Sequence, residues 1–161
     1  MSRVFVSVGT NINKEHNLRS CLSALQQIFR NVIKSSVYQS AAVGFEGADF
    51  YNMVVSLETT LTPSNTNQVF FEIEKKHGRK RSENQFVSRE LDLDQLLYDD
   101  LIVDKNGVHL PHKDLDKHAY ILKPMAEIAG DLVHPKVGQC FSELLQNLDR
   151  PEPITRVPFA W

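Results

Sequence analysis

The 161-residue chain has little cysteine and little tryptophan, two residues and one, and no marked excess of charge of either sign. Cys21 and Cys140 stand far apart and in no metal-ligand spacing, which argues against a cysteine-built zinc site and against a disulfide scaffold. Both fall in helix-like apolar stretches and are expected as buried free thiols. No apolar run reaches the length of a membrane span, and no basic segment leads into an apolar one near the N-terminus; the expectation is a cytoplasmic protein without a leader. A formal net charge of −2 and a pI near 6.3 speak against nucleic acid or an anionic membrane as partner. Neither G-x-x-x-x-G-K-[ST] nor G-x-G-x-x-G occurs, which excludes P-loop and protein-kinase architectures. Repeats, low-complexity tracts and linkers are absent too, so residues 1–161 read as one domain, and 42% hydrophobic content suffices for one core.

What is present has a clear order. Residues 3–9 alternate as a strand with Val4, Val6 and Val8 on one face. Asn13 is placed to cap a helix striped by Leu18, Leu22, Leu25 and Ile28. A second strand over 32–39 puts Ile33, Ser35 and Val37 on one side, and a glycine-containing loop leads to a third, 51–59, with Met53, Val55 and Leu57 aligned. Thr62-Pro63-Ser64 opens a second helix that buries Val69, Phe70 and Ile73 and stops at Gly78. Leu91 to Tyr98 is a fourth strand, with Leu97 assigned to the core face beside Leu91 and Leu93. Beyond it come a hairpin turning at Asn106-Gly107, short helices at 119–129 (broken at Pro124) and 140–148, and a proline-containing tail. The order β-α-β-β-α-β predicts an α+β, ferredoxin-like fold, a mainly antiparallel sheet with flanking helices and a C-terminal hairpin and short-helix extension.

Charge concentrates where chemistry is expected. Between Lys75 and Arg89 stand six basic residues and one acid, Glu83, so this window carries +5 and the rest of the chain −7. Directly after it, Asp92 and Asp94 lie two apart on a strand and share a face. Paired hard carboxylates suit magnesium, which completes its shell with water and phosphate oxygens, and two such ions can clamp a phosphate chain. The pair alone reads more readily as an acidic, solvent-facing strand edge. Arg79, Arg81 and Arg89 just upstream favour phosphate chemistry, because guanidinium forks neutralise oxygens that gain charge in phosphoryl transfer.

In sequence order, Val8-Gly9-Thr10-Asn11, Phe50-Tyr51-Asn52, Ile73-Glu74 with Gly78-Arg79-x-Arg81, Arg89-x-Leu91-Asp92-Leu93-Asp94, Leu110-Pro111-His112 and Ala119-Tyr120-Ile121-Leu122-x-Pro124-x-x-Glu127-Ile128 cover nearly the whole chain. In these pieces the chain resembles the 6-hydroxymethyl-7,8-dihydropterin pyrophosphokinases, which move pyrophosphate from ATP to a pterin alcohol in folate biosynthesis. The resemblance implies that Asp92 and Asp94 bind two Mg2+ ions on ATP, and that Arg79 and Arg89 stabilise the transferring phosphoryl group. It places Arg81, Glu74 and His112 on the nucleotide. It gives the pterin to Gly9, Val43, Phe45, Asn52, Phe86 and Tyr120, the last with Phe86 as a ring sandwich, under lids at 43–49 and 79–90. The implied partners are these small molecules, with a monomer as the working unit; no general base is evident.

Several positions depart from the family pattern: Ser40-Ala41-Ala42 replaces Thr-x-Pro, Gln85 to Ser88 replaces R-W-G-P, His118 replaces an arginine, and Lys113 an aromatic or proline. Phe71 takes an outward helix position where a polar ribose contact is usual. These changes predict weaker ATP binding or slower turnover, and leave open a paralogue that binds pterin or nucleotide without efficient catalysis.

Overall fold

The computed structural model describes residues 1–42, 47–78 and 91–161. The elements are β1 (Ser2–Thr10), α1 (Lys14–Ile28), β2 (Arg30–Lys34), β3 (Val37–Ser40), β4 (Phe50–Thr59), α2 (Pro63–Lys76), β5 (Asp92–Tyr98), β6 (Val103–Lys105), β7 (Val108–Leu110), α3 (Ala119–Ala129), α4 (Phe141–Gln146) and β8 (Ile154–Val157). The main sheet runs β5-β1-β4-β3-β8, with β2 also on β4, and all its pairings are antiparallel. This is the ferredoxin-like α+β arrangement, extended by a C-terminal edge strand.

The alternation of β1 and β4 builds two cores, one on each face. Val4, Val6, Val8, Met53, Val55 and Leu57 pack under α1 and α2 with Leu18, Leu25, Phe70 and Ile73. Phe5 and Val54 look the other way, onto Ile121, Leu122 and Met125 of α3 and Phe141 of α4. The C-terminal helices are therefore the second cover of the sheet. Pro124 does not break α3, contrary to expectation. Ile121, Leu122, Pro124 and Met125 are all buried, and tertiary packing carries the helix past the missing N–H.

Other expectations shift for local reasons. Leu97 sits with Phe5 on the α3 side, because the β1–β5 register slips between Phe5 and Val6 and reverses the alternation beyond Gln95. Asn13 occupies the α1 cap position in the left-handed region without a side-chain cap bond. Ile33 is 53% exposed, because the second strand is split in two at Ser35-Ser36. Cys21 is fully buried, and burial together with the nearby Glu74 carboxylate pushes its thiol up to about 12, whereas Cys140 is only half-buried. Both are free, and the expected cap by Thr62, the stop at Gly78 and the Asn106-Gly107 turn are all found.

Ser35 bridges the strand break. Its hydroxyl accepts the Val54 N–H at 2.9 Å and donates to the Ser36 carbonyl at 2.8 Å, at 1% exposure. Ser35→Ala strips a buried amide of its partner and is expected to cost roughly 1–3 kcal/mol. Urea unfolding monitored by circular dichroism measures this, and an unchanged midpoint would mean that the break relaxes at no cost.

Candidate active site

Among the described residues, the α3-facing side of the sheet is not covered along its whole length. At the end of β1, Gly9 pairs with Asn52 of β4 on one side and with Asp92 of β5 on the other, while Ser7 faces Asp94. Strands lie about 4.8 Å apart, so Asn52 and Asp92 stand roughly 10 Å from each other across Gly9. Beyond this row opens a cavity of about 430 Å3 whose lining includes Gly9, Asn52, Asp92, Asp94, His112 and Tyr120. That volume lies in the range of small-molecule sites.

Each of these residues has a local reason for its place. Asn52 is 7% exposed, and its amide nitrogen donates to the Tyr38 carbonyl at 3.2 Å and to Ser40 Oγ at 2.8 Å. That fixes the flip of the side chain and turns Oδ1 towards Gly9, where a Cβ would meet it at 3.6 Å. Ser40, at the first position of the atypical Ser-Ala-Ala stretch, thus orients the amide and itself lines the cavity.

His112 is anchored by its own N–H to the Leu96 carbonyl, and its Nδ1 accepts the Asp114 N–H at 3.1 Å. An Nδ1 that accepts leaves the proton on Nε2, which points at Asp94 Oδ1 from 3.9 Å. Burial holds the imidazole below its ordinary pKa, although Asp114 and Asp92 pull it up. At neutral pH the contact is a neutral donor facing a carboxylate, at a separation that suits a bridging water.

Burial comes first, and then Asp114, Glu152, Asp94 and Asp92 push the Tyr120 phenol up to about 12. Among the described residues no group of three His, Cys, Asp or Glu side chains could hold a metal ion. A two-carboxylate site fits magnesium, which takes one or two protein carboxylates and leaves its other positions to water and phosphate.

Glu74 lies elsewhere. It is 2% exposed on α2, and its carboxylate accepts the Leu93 N–H at 2.8 Å on β5, the edge strand of the sheet. It therefore holds the strand that carries the aspartates and is absent from the cavity lining. Arg79, Arg81, Arg89, Phe86, Val43 and Phe45 lie outside the described residues. Phe71 is half-buried on α2. Phe50 and Asp114 line the cavity without a role assigned from the sequence, and Lys113 and His118, two of the departures from the family pattern, line it too. Their nearness to Asn52, His112 and Tyr120 in the chain was the available signal.

The model of the family described as 7,8-dihydro-6-hydroxymethylpterin-pyrophosphokinase (HPPK) matches residues 5–130. The chain belongs to this family. The 2-amino-4-hydroxy-6-hydroxymethyldihydropteridine pyrophosphokinase of Haemophilus influenzae is 33% identical over 150 residues, covering 91% of this chain and 92% of that protein. The enzyme of the same name from Methylorubrum extorquens is 35% identical over 161 residues, covering 98% of this chain and 99% of that one. Among solved structures, Plasmodium falciparum HPPK-DHPS wild type with SDX-DHP matches 91% of this chain with a TM-score of 0.70 at 13% identity. This chain spans 43% of that one, and the likeness carries the fold alone. As an HPPK, the protein is a pyrophosphokinase of folate biosynthesis.

Gly9 gives a clean test of how closely a ligand approaches the sheet. Its φ lies outside the left-handed region, and an added Cβ meets only Asn52 Oδ1 at 3.6 Å and Phe50 Cδ1 at 3.9 Å, both ordinary contacts. The empty fold thus accepts alanine, which gains about 0.5–1 kcal/mol over glycine inside a strand. Gly9→Ala is expected to keep or raise the melting temperature; if a pterin ring lies against this strand, as the resemblance implies, the added methyl should weaken its binding about tenfold. Calorimetry beside a fluorescence titration separates the two, and unaltered binding would remove Gly9 from the site.

Proposed function

We propose that this cavity binds ATP and 6-hydroxymethyl-7,8-dihydropterin side by side and transfers pyrophosphate between them. The observation that carries the reading is the row Asp92, Gly9, Asn52 beneath Tyr120: a cation-holding carboxylate, a bare backbone and a fixed amide in one line. The flat pterin lies against Tyr120, and its polar edge meets Asn52, whose orientation Ser40 and the Tyr38 carbonyl set in advance. The hydroxymethyl group then reaches over Gly9 towards Asp92 and Asp94.

Those two aspartates would hold magnesium, two ions in this reading, which supply Lewis-acid neutralisation of the phosphate oxygens. The pterin oxygen forms a bond to the β-phosphorus of ATP, and the bond from that phosphorus to the α,β-bridging oxygen breaks. The bridging oxygen leaves on AMP, and the hydroxyl proton passes to solvent or base. His112 offers its Nε2–H to an oxygen near Asp94. Arg79, Arg81 and Arg89 stand between Gly78 and β5 in the chain and take the phosphate-neutralising roles, with Glu74 supporting β5 from the other side. Val43, Phe45 and Phe86 complete the pterin enclosure. The working unit is proposed as a cytoplasmic monomer. The alternative of a paralogue without efficient turnover gains nothing from the cavity, which keeps its aspartates, amide and aromatic wall together.

Pterin-dependent release of AMP from ATP, followed with a coupled enzyme assay, tests the reading. AMP formation with pterin and none without it is the expected result, and AMP formed equally with and without pterin would overturn it.

A further inference from the structure

The C-terminal segment touches a wall of the cavity through His118, in a way that its sequence does not suggest. β8 pairs with β3 in a register that sets Ile154 opposite Ser40, the residue that orients Asn52. Glu152, two residues earlier, is thereby brought to His118, which lines the cavity. Its Oε2 accepts the Ala119 N–H at 3.0 Å, the first amide of α3, and its Oε1 lies 2.5 Å from His118 Nδ1. A carboxylate only accepts, so His118 Nδ1 is the donor. His118 stands at the α3 N-cap position but makes no side-chain cap bond. Glu152 supplies that cap from a distant part of the chain, with a charge that suits a helix N-terminus.

The bond matters because of what His118 touches. Its ring stacks on Tyr120 with centroids 4.8 Å apart and planes 15° from parallel, and both rings line the cavity. His118 and Glu152 side chains are each only 30% exposed. Without the carboxylate, the imidazole is free to leave the stack, and Tyr120 loses the ring that keeps it in one plane.

We propose that Glu152 is a positioning residue for the substrate site: by holding His118 and the first amide of α3 it fixes the His118–Tyr120 stack as a wall for the flat ring. The C-terminal strand is then part of the binding site as well as of the sheet. This inference rests on the pterin reading above.

The test compares wild type, Glu152→Ala, His118→Ala and the double variant. Pterin affinity is measured by fluorescence titration, MgATP affinity by calorimetry without pterin, and stability by thermal melting. Glu152→Ala is expected to weaken pterin binding about tenfold, the scale of one lost hydrogen bond to a charged group. MgATP affinity should stay within about twofold, and the double variant should bind pterin no worse than His118→Ala, because the two act as one unit. A lower melting temperature with unchanged pterin affinity would overturn the proposal, as would additive losses in the double variant. Should Glu152→Ala not fold, His118→Phe keeps a stacking ring but cannot bond Glu152. The same tenfold loss in it supports the proposal, and full affinity overturns it. Wild-type protein that binds no pterin would sink the pterin reading and this inference with it; wild-type binding with unaffected variants sinks this inference alone.

Discussion

Asp92→Ala is expected to reduce pterin-dependent AMP formation about a thousandfold and to leave the melting temperature within about 2 °C. The first number is the one expected if Asp92 holds magnesium as proposed: neutralising transition-state charge on phosphate oxygens contributes several kcal/mol, and each 1.36 kcal/mol is a factor of ten. The second follows from position. Asp92 is half-buried on the cavity side of β5, and the residues flanking it, Leu91 and Leu93, carry the packing at 0% and 3% exposure. Substitutions that leave the core untouched change stability by about 0.5 kcal/mol, or roughly 2 °C in a domain of this size. Removing one acid also relieves the field of Asp114, Glu152, Asp94 and Asp92 that raises Tyr120. Activity measured across a magnesium series separates two origins of the loss. Full recovery at high magnesium would confine Asp92 to metal affinity, and activity retained at ordinary magnesium would remove it from the site.

That the aspartates share a face was legible because alternation on a strand is a local rule, and Asp92, Gly9 and Asn52 were each marked by residues beside them in the chain. The order of elements was legible for the same reason: β1 and β4 are rich in β-branched residues, and Thr62, Gly78 and Asn106-Gly107 punctuate by their own chemistry. What escaped depends on partners far away in sequence. Leu97 changed faces because of a register slip set by the pairing of β5 with β1. Pro124 stayed helical because α3 is buried against Phe5 and Val54, which nothing near Pro124 announces. The bond from Leu93 N–H to the Glu74 carboxylate likewise joins α2 to β5 across nineteen residues of chain. The tail read as an appendage, yet the β-branched pair Ile154 and Thr155 and the later Val157 form β8, and through it Glu152 reaches His118. Sequence alone could assign residues to faces, but which faces meet was decided by pairings across a hundred residues.

Tyr120 carries the second large effect. If its ring is the wall on which the pterin lies, Tyr120→Ala removes a base-like stacking contact worth about 1–3 kcal/mol, or roughly a 5- to 150-fold loss of pterin affinity. Tyr120→Phe keeps the ring and should bind within about twofold of wild type, since no described hydrogen bond depends on the phenol. The same pair of variants reads the pH behaviour. With its folded-state pKa raised to about 12 from an ordinary 10.0, the phenol keeps its proton through the neutral range, so pterin affinity owes no slope to Tyr120 below pH 10. Stability behaves differently. A raised acid in the folded state contributes fully below pH 10 and loses that contribution as the pH rises towards 12, because the unfolded chain ionises first. Tyr120→Phe should therefore flatten the alkaline limb of a melting-temperature profile over that interval while leaving pterin titrations at pH 7 unchanged. An alanine variant that binds pterin as well as wild type would move the ring elsewhere in the cavity. A phenylalanine variant that binds as poorly as alanine would mean that the phenol oxygen, and not the ring face, meets the substrate.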